Sequence, residues 1–282
     1  MKSDSDFKNL EKISNKLRQA EIEMLHKIGM EYRGHPGPAR SITDIITVLY
    51  FKVLNIDPTN PQWEDRDRFI LSKGHACPAL YAALAERGYF EAKHLSTFRH
   101  IGSILQGHPD MKKTPGVDMT TGSLGHGLGA GVGMALAAKI DGKIYRTYVL
   151  VGDGEMQEGL IWESVMAAGH FGLDNLTLII DRNRWQSCDA VENTIDIEPL
   201  GAKLISFGWS AIEVDGHNIG QLVSILSVKA SNKPLAVIAN TIKGKGVSFM
   251  EEDNSWHQRP ITVEEYQKAM KELKAGEIKR QS

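Results

Sequence analysis

Two cysteines in 282 residues, Cys77 and Cys188, leave nothing for a disulfide framework or a zinc-finger spacing. Long apolar runs are missing too, and no window approaches the ~18 uninterrupted apolar residues of a membrane-spanning helix. Neither sign of charge dominates: 33 Lys+Arg face 35 Asp+Glu, a formal net charge of −2. That balance argues against a surface built to coat nucleic acid or an anionic membrane, so neither is an expected partner. The opening MKSDSDFKNLEK is polar and has no apolar stretch, so no secretory leader is expected and the cytoplasm is the expected location. What remains is an ordinary globular composition, 41% hydrophobic and 24% charged, with enough apolar surface to offset chain entropy. Glycine stands out. There are 27, about 10% against a usual ~7%, and six of the ten histidines directly follow one.

Apolar residues at three- and four-residue steps predict an amphipathic helix over 6–28. The Gly34-His35-Pro36-Gly37-Pro38 turn stops it, because prolines and glycines cannot continue a helix. Ser41 and Asp44 read as a capping box opening a buried apolar run over 42–54. A short strand over 68–71 and a helix over 78–87 follow. From 94 to 131 the pattern breaks up into Gly, Pro, His and Thr, a length of irregular chain that is usually functional or disordered. Strands over 145–151, 176–181, 211–214 and 235–240 then alternate with helices over 160–170 and 221–230. This alternation predicts an α/β fold with a parallel sheet and helices on both faces. A charged helix over 262–274, capped by Thr262 and Glu265, closes the pattern.

The sharpest chemical signal is Gly152-Asp153-Gly154 after one strand, with Asn183 just past the next. Adjacent parallel strands place both carboxyl ends on one edge, where open α/β sheets bind ligands. Two hard side-chain oxygens suit Mg²⁺, which keeps phosphate oxygens and water as its other ligands. The glycines let a diphosphate approach, and the helix that follows offers free N–H groups. Taken alone, the GDG triplet is more often a turn; the Asn at the next strand end reverses that preference. Imidazoles suit proton traffic near neutral pH, although for any single Gly-His pair a turn is the better reading.

GDG followed some thirty residues later by Asn resembles the metal-diphosphate motif of thiamine diphosphate enzymes. The segments GHPGPARSITDIITVLYFKVL, FILSKGHACPALYAAL, GHPDMKKTPGVDMTTGSLGHGLGAGVGMALA, VLVGDGEMQEGLIWES, IIDRNRWQS and TIKGKGVSFMEEDNSWH resemble transketolases most closely, in family order. The resemblance implies a thiamine diphosphate-binding fold over a single domain, 1–282, with a core at about 22–257, an N-terminal helix over 6–30 and the tail over 262–274. It implies Mg²⁺ (or Ca²⁺ or Mn²⁺ in its place) held by Asp153, Asn183 and the backbone oxygen of Trp185. Gly152, Gly154 and Glu155 would surround the diphosphate, while Gly122, Ser123 and Leu124 would pack the aminopyrimidine. His35, His75 and His257 match histidines at the diphosphate, the reactive ring and the substrate mouth, and His108 matches one that approaches a donor hydroxyl. Glu158 matches a carboxylate at a subunit interface. His126, His170 and His217 are left as turn residues, and His26, His94 and His100 as surface or core.

Departures from the family pattern are Pro38, Ala39 and Arg40 after GHPG, Trp185 where a smaller residue is usual, and Gln258 after His257. Arg40 is expected to be a solvated surface residue rather than a phosphate partner. Lys243-Gly244-Lys245-Gly246 follows a strand but lacks the helix of a Walker loop, so it is not read as a phosphate site. Family members carry the Glu that activates the cofactor on a second α/β domain, which nothing after Asn240 resembles. The resemblance therefore implies the amino-terminal subunit of a split transketolase, transferring a two-carbon ketol unit between sugar phosphates in the pentose phosphate style. Its partner would be a separate C-terminal subunit, in an α2β2 heterotetramer. The alternatives are a 2-oxo acid dehydrogenase component, a deoxyxylulose phosphate synthase, or a non-catalytic scaffolding subunit.

Overall fold

The computed structural model describes residues 4–228 and 232–279. Five strands, β1 (Arg68–Leu71), β2 (Thr147–Gly152), β3 (Leu176–Arg182), β4 (Ser210–Asp215) and β5 (Leu235–Asn240), make one sheet. All neighbours are parallel, in the order β1-β2-β3-β5-β4. The inner strands β2, β3 and β5 read as near-continuous apolar runs because both of their faces are covered. Alternate residues go to opposite layers. Phe69, Leu71, Tyr148, Leu150, Ile179 and Val237 belong to one core, while Ile70, Val149, Val151, Leu178, Ile180 and Ile238 belong to the other. Each such fully buried side chain contributes about 1.5–3 kcal/mol, so both layers are needed to hold the sheet.

The first layer is built by α1 (Asp4–Lys27), α2 (Pro36–Ser41), α3 (Thr43–Val48), α4 (Cys77–Arg87), α9 (Ile219–Leu226) and α10 (Val263–Lys279). The second is built by α5 (His126–Ile140), α6 (Gly159–His170) and α8 (Leu200–Ser206), with the one-turn α7 (Val191–Thr194) beside it. At the start of α10 the capping box forms: Glu265 N–H donates to Thr262 Oγ1, and Thr262 N–H donates to Glu265 Oε2. The tail lies on α1, where Asn15 Nδ2 donates to the Leu273 carbonyl.

Four expectations are corrected. The 94–131 stretch is not irregular to its end, because α5 begins at His126. Its glycines hide the helix, and packing explains them: a Cβ on Gly131 would lie 2.4 Å from Val149 Cγ2, and one on Gly127 2.4 Å from Ser72 Oγ. Ser41 and Asp44 form no capping box, since Ser41 Oγ donates to Asp181 and Asp44 pairs with Arg18. Arg40 is fully buried rather than solvated, with its guanidinium over the chain between α1 and Gly244. The helix expected over 221–230 is Ile219–Leu226, and its expected last residues, Lys229 and Ala230, lie outside the described residues.

Candidate active site

The carboxyl ends of β1, β2, β3 and β5 all open into a cavity of about 420 Å³, a size that suits a cofactor. The register explains the gathering. Gly152 at the end of β2 pairs with Asp181, and Arg182 of β3 pairs with Asn240 at the end of β5. Asp153, Asn183 and Lys243 therefore leave three neighbouring strands on one edge and line the same space.

At the β2–β3 corner, Asp153 is buried and both carboxylate oxygens are engaged: Gly154 N–H donates to one at 2.8 Å and Arg184 N–H to the other. Asn183 is buried as well. Its Nδ2 donates to Asp181 Oδ2 at 2.8 Å, and its Oδ1 accepts the Trp185 N–H at 3.0 Å. Asp181 fixes which way that amide faces. It also accepts from Lys73, Ser41 and Thr241, and the Lys73 ammonium holds its carboxyl below the usual carboxylate range despite full burial. Burial, with the Asp181 charge beside it, pushes the Asp153 carboxyl up to about 7. Glu155 is spent on structure: it accepts from Ser72 Oγ, Gly125 N–H and Gly152 N–H, tying three loops together.

The opposite wall is imidazole. The ring centroids of His35, His75 and His257 stand 5.0, 5.6 and 5.5 Å apart. Burial holds His35 down to about 4 and His257 to about 3, and lowers His75 as well, with neighbouring Lys73 and Lys243 adding repulsion. All three rings are neutral at physiological pH. Lys243 Nζ donates to His257 Nδ1 at 2.9 Å, to Asn254 Oδ1 at 2.6 Å and to the Gln186 carbonyl at 3.2 Å. Burial pulls its ammonium down to about 7. His108 stands at the exposed rim against Gly122. Gly74 is required here, because a Cβ would come within 3.0 Å of Gly122 N and 2.9 Å of Thr121 Oγ1.

Of the residues singled out from sequence, His35, His75, His108, Gly122, Leu124, Gly152, Asp153, Gly154, Glu155, Asn183, Trp185 and His257 line this cavity, as does Glu158. Ser123 does not; it is exposed outside the wall. Sequence reasoning missed Lys73, Asp181, Gln186 and Lys243. Two signals could have found two of them: a lone Asp in the apolar run of β3, and a Lys three residues past the end of β5. Gln186 Oε1 is buried without a hydrogen-bond partner among the described residues, an acceptor that a donor on a bound group would satisfy.

The fit to a metal-bound diphosphate rests on this donor set. Asp153 and Asn183 bring hard oxygens to the cavity, with Trp185 on the same lining. The buried Asp153 carboxyl is bonded only to backbone N–H groups among the described residues, a donor set that suits Mg²⁺. Among the described residues no cluster of three or more His, Cys, Asp or Glu side chains is arranged to hold a metal ion.

Residues 11–277 match the family described as transketolase, thiamine diphosphate binding domain. The chain belongs to this family. It is 43% identical over 267 residues to a 6-deoxy-6-sulfo-D-fructose transketolase subunit of a Clostridium species, covering 94% of this chain and 96% of that protein. It is 41% identical to an apulose-4-phosphate transketolase subunit of Phocaeicola vulgatus, covering 94% of this chain and 93% of that protein. Human transketolase is 40% identical over 253 residues, but there the match takes 89% of this chain and only 40% of the human one. The transketolase structure from Campylobacter jejuni superposes with a TM-score of 0.87 at 31% identity, over 96% of this chain and 45% of that one. The chain thus spans less than half of the one-chain transketolases and nearly all of the two named subunits.

Proposed function

We propose that this chain is the thiamine diphosphate-binding subunit of a two-chain transketolase. It would move a two-carbon ketol unit from a ketose donor to an aldose acceptor together with a separate C-terminal subunit. The observation that carries the reading is the convergence of Asp153, Asn183 and Lys243 from three adjacent strand ends onto one cavity. When bound, thiamine diphosphate supplies the carbon nucleophile and electron sink that ketol transfer needs. Asp153, Asn183 and the Trp185 carbonyl would hold Mg²⁺, or Ca²⁺ or Mn²⁺ in its place, against the diphosphate. Lys243, bonded to His257 on the histidine side, adds a cationic donor to the same cavity, and Gly152 and Gly154 present no side chains to it. Neutral His35, His75 and His257 can accept or donate a proton without adding fixed charge, and His108, exposed at the rim, would meet a donor hydroxyl.

The two subunit relatives are named for a sulfosugar and a sugar phosphate, which supports a substrate with an anionic end, such as a sugar phosphate. Their separate-subunit naming supports a partner chain carrying the activating Glu, and an α2β2 assembly is the symmetric closure of such a pair. Two free cysteines and the absence, among the described residues, of a helix able to cross a membrane are compatible with a cytoplasmic place. Relatives named as transketolases at 40–43% identity favour this activity over other thiamine diphosphate chemistries. A complete set of wall residues favours catalysis over scaffolding. The test is to mix the purified chain with its C-terminal partner and assay ketol transfer across phosphorylated and unphosphorylated ketoses. Transfer that depends on thiamine diphosphate, Mg²⁺ and both chains supports the reading. No transfer with any donor, in a complex that forms, overturns it.

A further inference from the structure

His217 takes no part in the cavity wall, yet it is bonded on both ring nitrogens. Nδ1 lies 2.8 Å from Asp44 Oδ2, and Nε2 lies 2.8 Å from the backbone nitrogen of Ile242. Since Ile242 N–H can only donate, Nε2 must accept, and the ring is the Nδ1–H tautomer with its proton on the Asp44 side. Asp44 is itself fixed from α1: Arg18 reaches both of its oxygens, at 3.0 and 2.6 Å, and Ser14 Oγ donates to Oδ1. The group is largely buried, so removing one member leaves a charge or a donor with nothing in its place.

The ring stands at the base of the loop that leaves β5. Gly216 N–H donates to the Asn240 carbonyl, and a Cβ on Gly216 would lie 2.4 Å from Thr241 Cγ2, so the β4 and β5 exits are pressed together. One residue beyond the bonded Ile242 amide, Lys243 reaches the cavity. The loop then turns at Gly244, whose N–H donates to the Gly37 carbonyl and whose φ is +82°. A Cβ on Gly244 would meet the Met250 carbonyl oxygen at 2.1 Å. The loop after Lys243 is therefore closely confined. At its entry Thr241 is tied to β3 through the Arg182 carbonyl and Asp181, and the next amide, Ile242 N–H, is held by the His217 imidazole.

We propose that His217 is a positioning residue for the candidate site. Held as the Nδ1–H tautomer by the Arg18–Asp44 pair, it accepts the Ile242 amide and so sets where Lys243 enters the cavity. The inference rests on the functional reading above only in that Lys243 is taken to serve the bound diphosphate.

Two measurements on the free chain do not depend on that reading. Long-range ¹H–¹⁵N NMR should show His217 as the Nδ1–H tautomer, and hydrogen exchange at Ile242 should speed up in His217→Ala. A ring protonated at Nε2, or an Ile242 amide that exchanges at the same rate in the variant, overturns the proposal. In the two-chain enzyme, His217→Ala should weaken thiamine diphosphate binding about tenfold, the scale of one charge-assisted contact. The same change in a Lys243→Met background should add little, because the two act as one unit. Imidazole should restore binding in His217→Ala, as Asp44 and His217 line a cavity of about 200 Å³. Equal losses in both backgrounds would assign His217 a merely structural role and overturn the proposal. If His217→Ala fails to fold, His217→Gln, which can still accept the Ile242 amide, should keep slow Ile242 exchange and near-wild-type cofactor affinity. A tenfold loss of affinity with Ile242 exchange unchanged would overturn the proposal, and the wild-type tautomer still decides. A wild-type complex that binds no thiamine diphosphate refutes the functional reading, while the free-chain measurements still judge His217.

Discussion

The two walls of the cavity answer the same burial in opposite senses. At the β2–β3 corner, burial and the neighbouring Asp181 raise the Asp153 carboxyl to about 7. Across the space, burial and nearby ammonium groups lower His35 to about 4 and His257 to about 3. One corner is an acid that a cation would ionise. The other is a set of bases kept neutral by burial first and by nearby cations second. Low dielectric disfavours charge of either sign, so burial raises the acid and lowers the bases. The company each keeps, Asp181 on one side and cations on the other, adds to that shift. The proposed metal would sit at the first corner, and the proposed proton exchange with substrate hydroxyls at the second.

Breaking the acidic corner has the largest expected effect. Asp153→Ala removes a hard oxygen from the proposed Mg²⁺ site, and thiamine diphosphate binding in the two-chain complex should fall by more than about 100-fold, beyond the loss seen for groups that merely support a ligand. Calorimetry giving wild-type affinity in the presence of Mg²⁺ would remove Asp153 from the metal site.

The second test separates the walls by kinetic signature. His108→Ala should lower kcat by about 100-fold, the lower end for a lost proton-transfer group, with cofactor affinity changed little. Full kcat with every active donor would make His108 a structural rim residue.

A smaller change is expected at the join between the walls. Lys243→Met removes an ammonium bonded to His257, Asn254 and Gln186 and should cost about tenfold in cofactor affinity. It should also let His257 titrate at higher pH, since a cation next to it is gone. An unmoved His257 in an NMR titration would contradict that electrostatic account.

The smallest effect sets the two walls against each other through pH. Unfolded histidines take protons below about 6.5, whereas folded His35, His75 and His257 stay neutral to well below that. The unfolded state then binds more protons, so stability should fall as pH drops from 6.5 towards 4. Asp153 works the other way. Its folded pKa of about 7 lies above the unfolded 3.8, so its contribution is lost as pH rises through that interval. Mg²⁺ should therefore raise the thermal midpoint by a few degrees near pH 7.5 and hardly at all near pH 5.5. An equal rise at both values would contradict the acid-corner assignment.

Much of this architecture is legible from pattern. Continuous apolar strands between helices lead to a parallel sheet, and a GDG turn one strand before Asn183 leads to the edge where the cavity lies. Local patterns fail where a residue's purpose is set by distant neighbours. Gly127 and Gly131 read as loop glycines because nothing local says that Ser72 and Val149 lie against them. Arg40 reads as surface because its burial depends on α1 and the Gly244 loop. Lys243 is lost within a string that fails as a Walker loop, although its place beyond β5 mirrors that of Asp153 beyond β2. Ser123 sits inside the same matching motif as Gly122 and Leu124 but is exposed and is not among the residues lining the cavity.

If this chain supplies one wall of a cofactor site that a second chain completes, neither chain should work alone. The deciding measurement is ketol transfer, with thiamine diphosphate and Mg²⁺ present, by this chain alone, by the C-terminal partner alone and by the two mixed. Activity only in the mixture, with apparent cofactor affinity rising as the complex forms, is the expected result. Sustained turnover by this polypeptide alone, free of any co-purifying chain, would contradict it.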